Sequence, residues 1–290
     1  MQLITGKTKL LGVIGDPIKH SFSPVMHNAA IAHLGLDYVY LPLPVKAEAL
    51  EVALAGFAAI NLVGFSITIP HKQAIIPLLS AVTPDAEMVG AVNTVWRTEG
   101  GWEGTNTDVE GFIAPLKIMS RNWQQIIPVV LGNGGAARAV VTGLAQLGCS
   151  EIHVVGRDRD KLARFQYSWH DIPQITSILK IHHWDNLPAL LPAAELLVNT
   201  TPVGMYPHVN NSPIDESLMA KLPPGAIAYD LIYTPNPTEF LKLARKHGAK
   251  EAIDGLEMLV QQGAAALEIW LQQPAPVEIM RNSLKKHLGH

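Results

Sequence analysis

The sequence predicts an α/β protein built on mostly parallel sheets, and three observations carry that prediction. Short β-branched runs alternate with helical patterns along the whole chain, the order that lays helices over parallel strands. A glycine-rich turn, Gly132-Asn133-Gly134-Gly135-Ala136-Ala137-Arg138, joins a short apolar run to a helical one. The length, 290 residues, suits two domains at roughly 150 residues each.

The elements follow in order. Leu10 to Gly15 reads as a buried strand, followed by a polar loop from Asp16 to Phe22. Ser23-Pro24 is an N-cap followed by the favoured first helical residue, opening a helix that runs towards Leu34 and stops at Gly35. Tyr38 to Leu41 is a strand, Ala47 to Ala55 a helix ending at Gly56, and Leu62 to Ile69 a strand stopped by Pro70. Thr83-Pro84 opens another helix, and Ala91 to Arg97 with Trp102 to Thr105 forms a hairpin around Glu99-Gly100-Gly101. The pattern changes near Phe112. Ile126 to Leu131 is a short apolar strand running into the glycine turn. The next helix places Val140, Val141, Leu144 and Leu147 on one face and ends at Gly148. Glu151 to Val155, Leu196 to Asn199 and Ala226 to Leu231 are further strands, and Leu256 to Leu271 is a strongly apolar helix.

Composition excludes several classes. Hydrophobic residues make up 48% and charged residues only 16%, so a large core is available and long solvated charge runs are not. Lys and Arg total 22 against 25 Asp and Glu, a net charge of −3, which argues against nucleic acid as a partner. The single cysteine, Cys149, excludes an intrachain disulfide and a Cys-based zinc site. The histidines form no metal-binding spacing. With no signal-peptide pattern and no membrane-length apolar run, the expected setting is cytoplasmic.

The glycine turn has the placement of a dinucleotide loop. Gly132 permits the tight turn and Gly134 lets the backbone approach a pyrophosphate. Asn133, Gly135 and Ala136 complete the loop, and Ala137 stands where a third glycine usually does. Uncapped N–H groups at the helix start would hold phosphates. At the end of the next strand an NAD site usually carries an acid; here Arg157 stands instead, whose planar fork suits the 2′-phosphate of NADP. Lys161 can assist. Asp158 points the other way, since it could accept a ribose hydroxyl, so NAD stays open as the alternative.

The first half offers polar residues at strand ends. Ser21 and Ser23 bracket a helix start, a reasonable carboxylate site, although capping alone would explain Ser23. Thr68 and Lys72 follow a buried strand, Asn93 lies among apolar neighbours, and Asp108 lies beyond the hairpin. Singly, each has a bland structural explanation.

Together the segments resemble the shikimate dehydrogenase family over essentially the whole chain. The stretches are Ser21-Phe22-Ser23-Pro24 with His27-Asn28, Ser66-Ile67-Thr68-Ile69-Pro70-His71-Lys72, Gly90-Ala91-Val92-Asn93-Thr94 and Gly104-Thr105-Asn106-Thr107-Asp108. The glycine turn follows, then Asn199-Thr200-Thr201-Pro202-Val203-Gly204-Met205, Tyr229-Asp230-Leu231-Ile232-Tyr233 and Asp254-Gly255-Leu256-Glu257-Met258-Leu259-Val260-Gln261-Gln262. The resemblance implies reversible reduction of 3-dehydroshikimate to shikimate with NADPH. It implies that Ser21 and Ser23 bind the substrate carboxylate, and that Thr68, Asn93 and Gln262 bind ring hydroxyls. Lys72 and Asp108 become the catalytic pair, and Tyr233 lies near the reacting carbons. Thr201, Met205 and Gly255 fall on the cofactor side. The family's NADP members usually read Asn-Arg-Thr where this chain reads Gly156-Arg157-Asp158.

The implied architecture is a substrate domain of residues 1–112 plus 255–290 and a Rossmann-type NADP domain of 113–254, with the C-terminal helix returning to the first. A monomer or homodimer is expected. The alternatives are a dual quinate/shikimate dehydrogenase using NAD or NADP, and a non-catalytic sensor of shikimate or dinucleotide.

Overall fold

A computed structural model describes residues 3–289, and the chain divides into two units. One takes in the chain up to Gly111 and again from Leu259; the other is Phe112–Met258. Both crossings fall within helices, Asp108–Lys117 and Leu256–Leu271. No helix among the described residues is long and apolar enough to cross a membrane.

The first unit holds strands β1 (Lys9–Gly15), β2 (Tyr38–Pro44), β3 (Gly64–Ile67), β4 (Ala81–Val82), β5 (Thr94–Thr98) and β6 (Gly101–Thr105), in the order β2-β1-β3-β5-β6-β4. The sheet is mixed. β1 runs parallel to β2 and β3, and β4 to β6. β5 runs antiparallel to both β3 and β6; the two-residue turn between β5 and β6 requires this of that pair. This reversal matters for the site. β5 begins where β3 ends, and β6 ends where β5 begins, so the carboxyl ends of β1, β3 and β6 share one edge with the start of β5.

Pleating sends alternate residues to opposite faces. Phe65 faces Ile14, Leu50, Leu54 and Trp102 in one core. Gly64 faces the other way, where a Cβ would come within 2.3 Å of Trp270 Nε1. The Trp270 indole N–H donates to the Val95 carbonyl at 2.9 Å. The tail helix is thus keyed into the first unit through a slot that only glycine leaves open. Trp270 also lies beside Tyr40 and His27, and helix Ser23–His33 packs on helix Val277–Leu288.

Two local readings are corrected. The second helix spans Leu50–Ala59 and passes through Gly56. Its real stop is at Asn61, which takes the left-handed conformation (φ 56°) that ends the turn. The first helix already includes Ser23, with Phe22 at the cap position. Ser23 is therefore not an N-cap.

The second unit holds β7 (Pro128–Leu131), β8 (Ile152–Gly156), β9 (Leu179–His183), β10 (Leu196–Asn199), β11 (Ile227–Asp230) and β12 (Glu251–Ile253). Their order is β12-β11-β10-β7-β8-β9, parallel throughout. The winding reverses between β7 and β10, the crevice where doubly wound sheets bind ligands. Helix Gly135–Gln146 buries Val140, Val141 and Leu144. A separate cluster packs Val129, Leu197 and Ala228 of the sheet against Leu187, Ile214 and Phe240.

His27 is fully buried and stacked on Tyr40 at 4.1 Å, with neither ring nitrogen hydrogen-bonded among the described residues. Burial pushes its pKa from 6.5 down to about 3. The unfolded chain takes up a proton below pH 6.5 that the folded chain refuses. Stability present above 6.5 is therefore lost as pH falls towards 3, at up to about 1.4 kcal/mol per pH unit. Urea unfolding of wild type and His27→Phe at pH 7 and 5.5 tests this: wild type should lose roughly 1 kcal/mol more than the variant.

Candidate active site

The shared edge of the first sheet carries a connected set of polar side chains. Lys72 lies in the single turn His71–Ala74 that follows β3, and Asp108 opens the helix that follows β6. Lys72 Nζ donates to Asp108 Oδ2 at 2.5 Å, with the two side chains 21% and 9% exposed. The backbone N–H of Val92 donates to the Lys72 carbonyl at 2.7 Å, tying the turn to the segment leading into β5.

Asn93, just before β5, holds the pair in place. Its Nδ2 donates to Asp108 Oδ1 at 2.9 Å and Thr107 Oγ1 at 3.0 Å, and lies 3.4 Å from Gln262 Oε1. Its Oδ1 accepts from the Thr107 N–H at 2.8 Å and the Thr94 hydroxyl at 3.0 Å. The Thr107 hydroxyl in turn donates to the Gln262 carbonyl at 2.9 Å. Lys72, Asp108, Asn93 and Gln262 thus form one hydrogen-bonded chain.

Ser21, Ser23 and Thr68 lie on the same sheet edge, after β1 and β3. Ser21 Oγ accepts from the Ser23 N–H at 3.3 Å. The capping-type bond therefore belongs to Ser21, and the Ser23 hydroxyl is not occupied by capping. Thr68 packs against Gly15, where a Cβ would meet Thr68 Cγ2 at 2.4 Å. None of the three bonds to the Lys72 chain among the described residues.

In the second unit, the glycine turn lies at the switch point. Gly132 adopts φ +106°, and a Cβ there would meet Thr200 Oγ1 at 2.7 Å. Around Gly134 and Gly135 a Cβ would meet nothing within 4 Å, so the backbone is open to a ligand. Gly134 caps helix Gly135–Gln146 without any side-chain bond, leaving first-turn N–H groups unanswered. The Asn133 amide nitrogen is buried and has no partner among the described residues. Unpaired donors at an open helix start are what the phosphates of a dinucleotide require, so this loop, Ala136 included, fits the cofactor.

Arg157 and Asp158 follow β8. Asp158 Oδ1 accepts the Lys161 N–H at 2.9 Å and caps helix Arg159–Tyr167. That backbone bond is the main cause holding its carboxyl below the usual range. Lys161 Nζ stands 3.9 Å from Asp158 Oδ2 on the exposed face. One oxygen of Asp158 is thus taken up by its own helix, while the other stays exposed near Lys161.

Residues 13–95 match the family model for the shikimate dehydrogenase substrate binding domain, and residues 255–285 that for the shikimate 5′-dehydrogenase C-terminal domain. The chain is 62% identical over 288 residues to the shikimate dehydrogenase (NADP(+)) of Crocosphaera subtropica, covering 99% of each. The chain belongs to the shikimate dehydrogenase family. Among solved structures, a shikimate dehydrogenase in complex with NADP+ superposes with TM-score 0.88 at 35% identity, covering 99% of this chain and 98% of that one. The Thermus thermophilus shikimate 5-dehydrogenase in complex with NADP(H) and shikimate gives 0.83 at 33%, covering 96% and 99%.

In this member of the shikimate dehydrogenase family, a second polar network lies at the ends of β10 and β11. Asn199 Oδ1 accepts from the Thr201 N–H at 3.0 Å and hydroxyl at 2.7 Å, and Asn199 Nδ2 donates to Asp230 Oδ1 at 2.9 Å. Asp230 also accepts from the Ile232 N–H at 3.1 Å and the Thr238 hydroxyl at 2.7 Å. Burial pushes its pKa up to about 6, with these bonds pulling the other way. The network fixes the loops that carry Thr201, Met205 and Tyr233. Met205 is 44% exposed, and burial raises the Tyr233 pKa. The sequence by itself gives Asn199, Asp230 and Thr238 no role. The available signal was a polar residue closing each of two apolar central strands.

Gly255 donates its N–H to the Ile232 carbonyl at 3.1 Å, and a Cβ there would lie 2.1 Å from the Leu231 carbonyl oxygen. Two backbone segments meet with no room for a side chain. Gly255→Ala should lower stability by roughly 1–3 kcal/mol and raise KM for the cofactor, read by thermal unfolding and initial rates. Wild-type values for both would show that the loop yields freely.

Proposed function

We propose that the chain is an NADP-dependent shikimate dehydrogenase that interconverts 3-dehydroshikimate and shikimate. The observation that carries this reading is the Lys72–Asp108 pair at 2.5 Å, locked by Asn93 at the edge where substrate residues gather. NADPH, when bound, supplies the hydride that adds to the substrate carbonyl carbon. Lys72 Nζ donates a proton to the carbonyl oxygen as negative charge develops there, completing the hydroxyl of shikimate. Asp108 holds the ammonium, and Asn93 holds Asp108.

Around that centre, Thr68 and Gln262 meet ring hydroxyls, Asn93 meets one by exchanging its long 3.4 Å contact to Gln262 Oε1, and Ser21 and Ser23 receive the carboxylate. The release of the Ser23 hydroxyl from capping supports the last assignment. The family resemblance assigns Tyr233 to the reacting carbons and Thr201, Met205 and Gly255 to the cofactor, and the Gly132 to Ala136 turn holds the pyrophosphate. Arg157 reads the 2′-phosphate with Lys161 beside it, while Asp158 shapes the loop.

Initial rates with shikimate or quinate, each with NADP+ or NAD+, test the reading. Shikimate with NADP+ should be fastest. A quinate rate equal to the shikimate rate would replace this reading with the dual-substrate enzyme, and binding without turnover in all four arms would make the protein a sensor. Lys72→Ala should lower kcat by about 10²- to 10⁴-fold with little change in shikimate KM, the mark of a transition-state interaction. A mainly raised KM would reduce Lys72 to a binding residue. Arg157→Ala should weaken NADP+ binding far more than NAD+ binding; equal losses would remove it as the phosphate reader.

A further inference from the structure

We propose that Trp184 is the positioning residue through which Arg157 discriminates a 2′-phosphorylated adenine dinucleotide from its unphosphorylated form. The proposal rests on the reading of Arg157 as the phosphate-binding residue. Arg157 is exposed, and an exposed arginine loses much rotamer freedom when it grips a ligand. Here the side chain is held in advance: its guanidinium carbon lies 4.7 Å from the centre of the Trp184 ring, within cation–π range.

The parallel register explains why these residues meet. Gly156 at the end of β8 pairs with His183 at the end of β9, so the next residue on each strand, Arg157 and Trp184, emerges side by side. Trp184 is itself anchored, half-buried against the core cluster that contains Leu187 and Leu191. The backbone is tied as well: the Arg157 carbonyl lies 3.0 Å from His183 Nε2, and His183 Nδ1 lies 2.9 Å from the Asp185 carboxylate.

No carboxylate pairs with the Arg157 guanidinium among the described residues, and the adjacent Asp158 is turned into its own helix. The positive charge is thus fixed in place but not neutralised. Stacking engages the guanidinium face and leaves its edge N–H groups for a phosphate, which they can bind bidentately.

The test is calorimetric binding of NADP+ and NAD+ to wild type, Trp184→Leu, Trp184→Phe, Arg157→Ala and the Arg157→Ala/Trp184→Leu double variant. Leucine keeps the apolar packing and removes the ring; phenylalanine restores a ring face. Trp184→Leu should weaken NADP+ by about 3- to 10-fold and NAD+ by less than about 2-fold. Trp184→Phe should recover most of the loss, and Trp184→Leu should add nothing once Arg157 is alanine. Equal losses for both nucleotides, no recovery with phenylalanine, or additive losses in the double variant would overturn the role of Trp184. Equal losses for both nucleotides in Arg157→Ala alone would instead overturn the reading of Arg157, and this proposal with it.

Discussion

A buried side-chain amide offers two donor hydrogens and two lone pairs, and leaving any of them unanswered is costly. Asn93 answers all of them with residues of the site: Asp108, Thr107 and Gln262 on the nitrogen, Thr107 and Thr94 on the oxygen. No rotation of this amide satisfies the same partners, so the Asp108 carboxylate has one orientation. Lys72 reaches the other oxygen of that carboxylate. The position of one ammonium group is in this way inherited from a strand start, a loop after a hairpin and a helix near the C-terminus.

The second unit repeats the device with a carboxylate at its centre. Asp230 ends a fully buried strand and gathers an amide, a hydroxyl and a backbone N–H from three segments. Burying it costs desolvation, which appears as a raised pKa. The three bonds offset that cost and turn a strand end into a rigid mount for two loops. In the first unit a buried polar residue just before a strand sets where the neighbouring loop goes, and in the second the last residue of a strand does.

Strand positions were legible because continuous apolar runs between turn residues have few other readings; β10 and helix Leu256–Leu271 fall on the expected residues. The hairpin was legible from Glu99-Gly100-Gly101. Local stops were less so: Gly56 looks like a helix end, yet glycine is tolerated inside a helix, and the left-handed Asn61 does the stopping. Ser23-Pro24 looks like a cap, but the turn begins one residue early. The antiparallel insertion of β5 beside β3 is a long-range choice that no local pattern states. Lys72 and Asp108 each read as ordinary alone and gain meaning only from the family resemblance. The neighbours that tune the site were hidden for a related reason. Gln262 meets Thr107 across 155 residues of chain, and Trp184 meets Arg157 only through strand register.

The discontinuity of the first unit also bears on how the molecule is made. Synthesis runs from the N-terminus, and domains fold as they become complete. The unit that starts first is nevertheless the last to be completed. Only with the last stretch does Trp270 reach the slot at Gly64 and Gln262 join the polar chain. The Phe112–Met258 unit has every one of its strands in hand before then. A chain cut short before Gln262 and Trp270 would carry every residue of the Phe112–Met258 unit and of the Lys72–Asp108–Asn93 contacts, but would lack the Gln262 contacts to Asn93 and Thr107 and the Trp270 indole at Gly64.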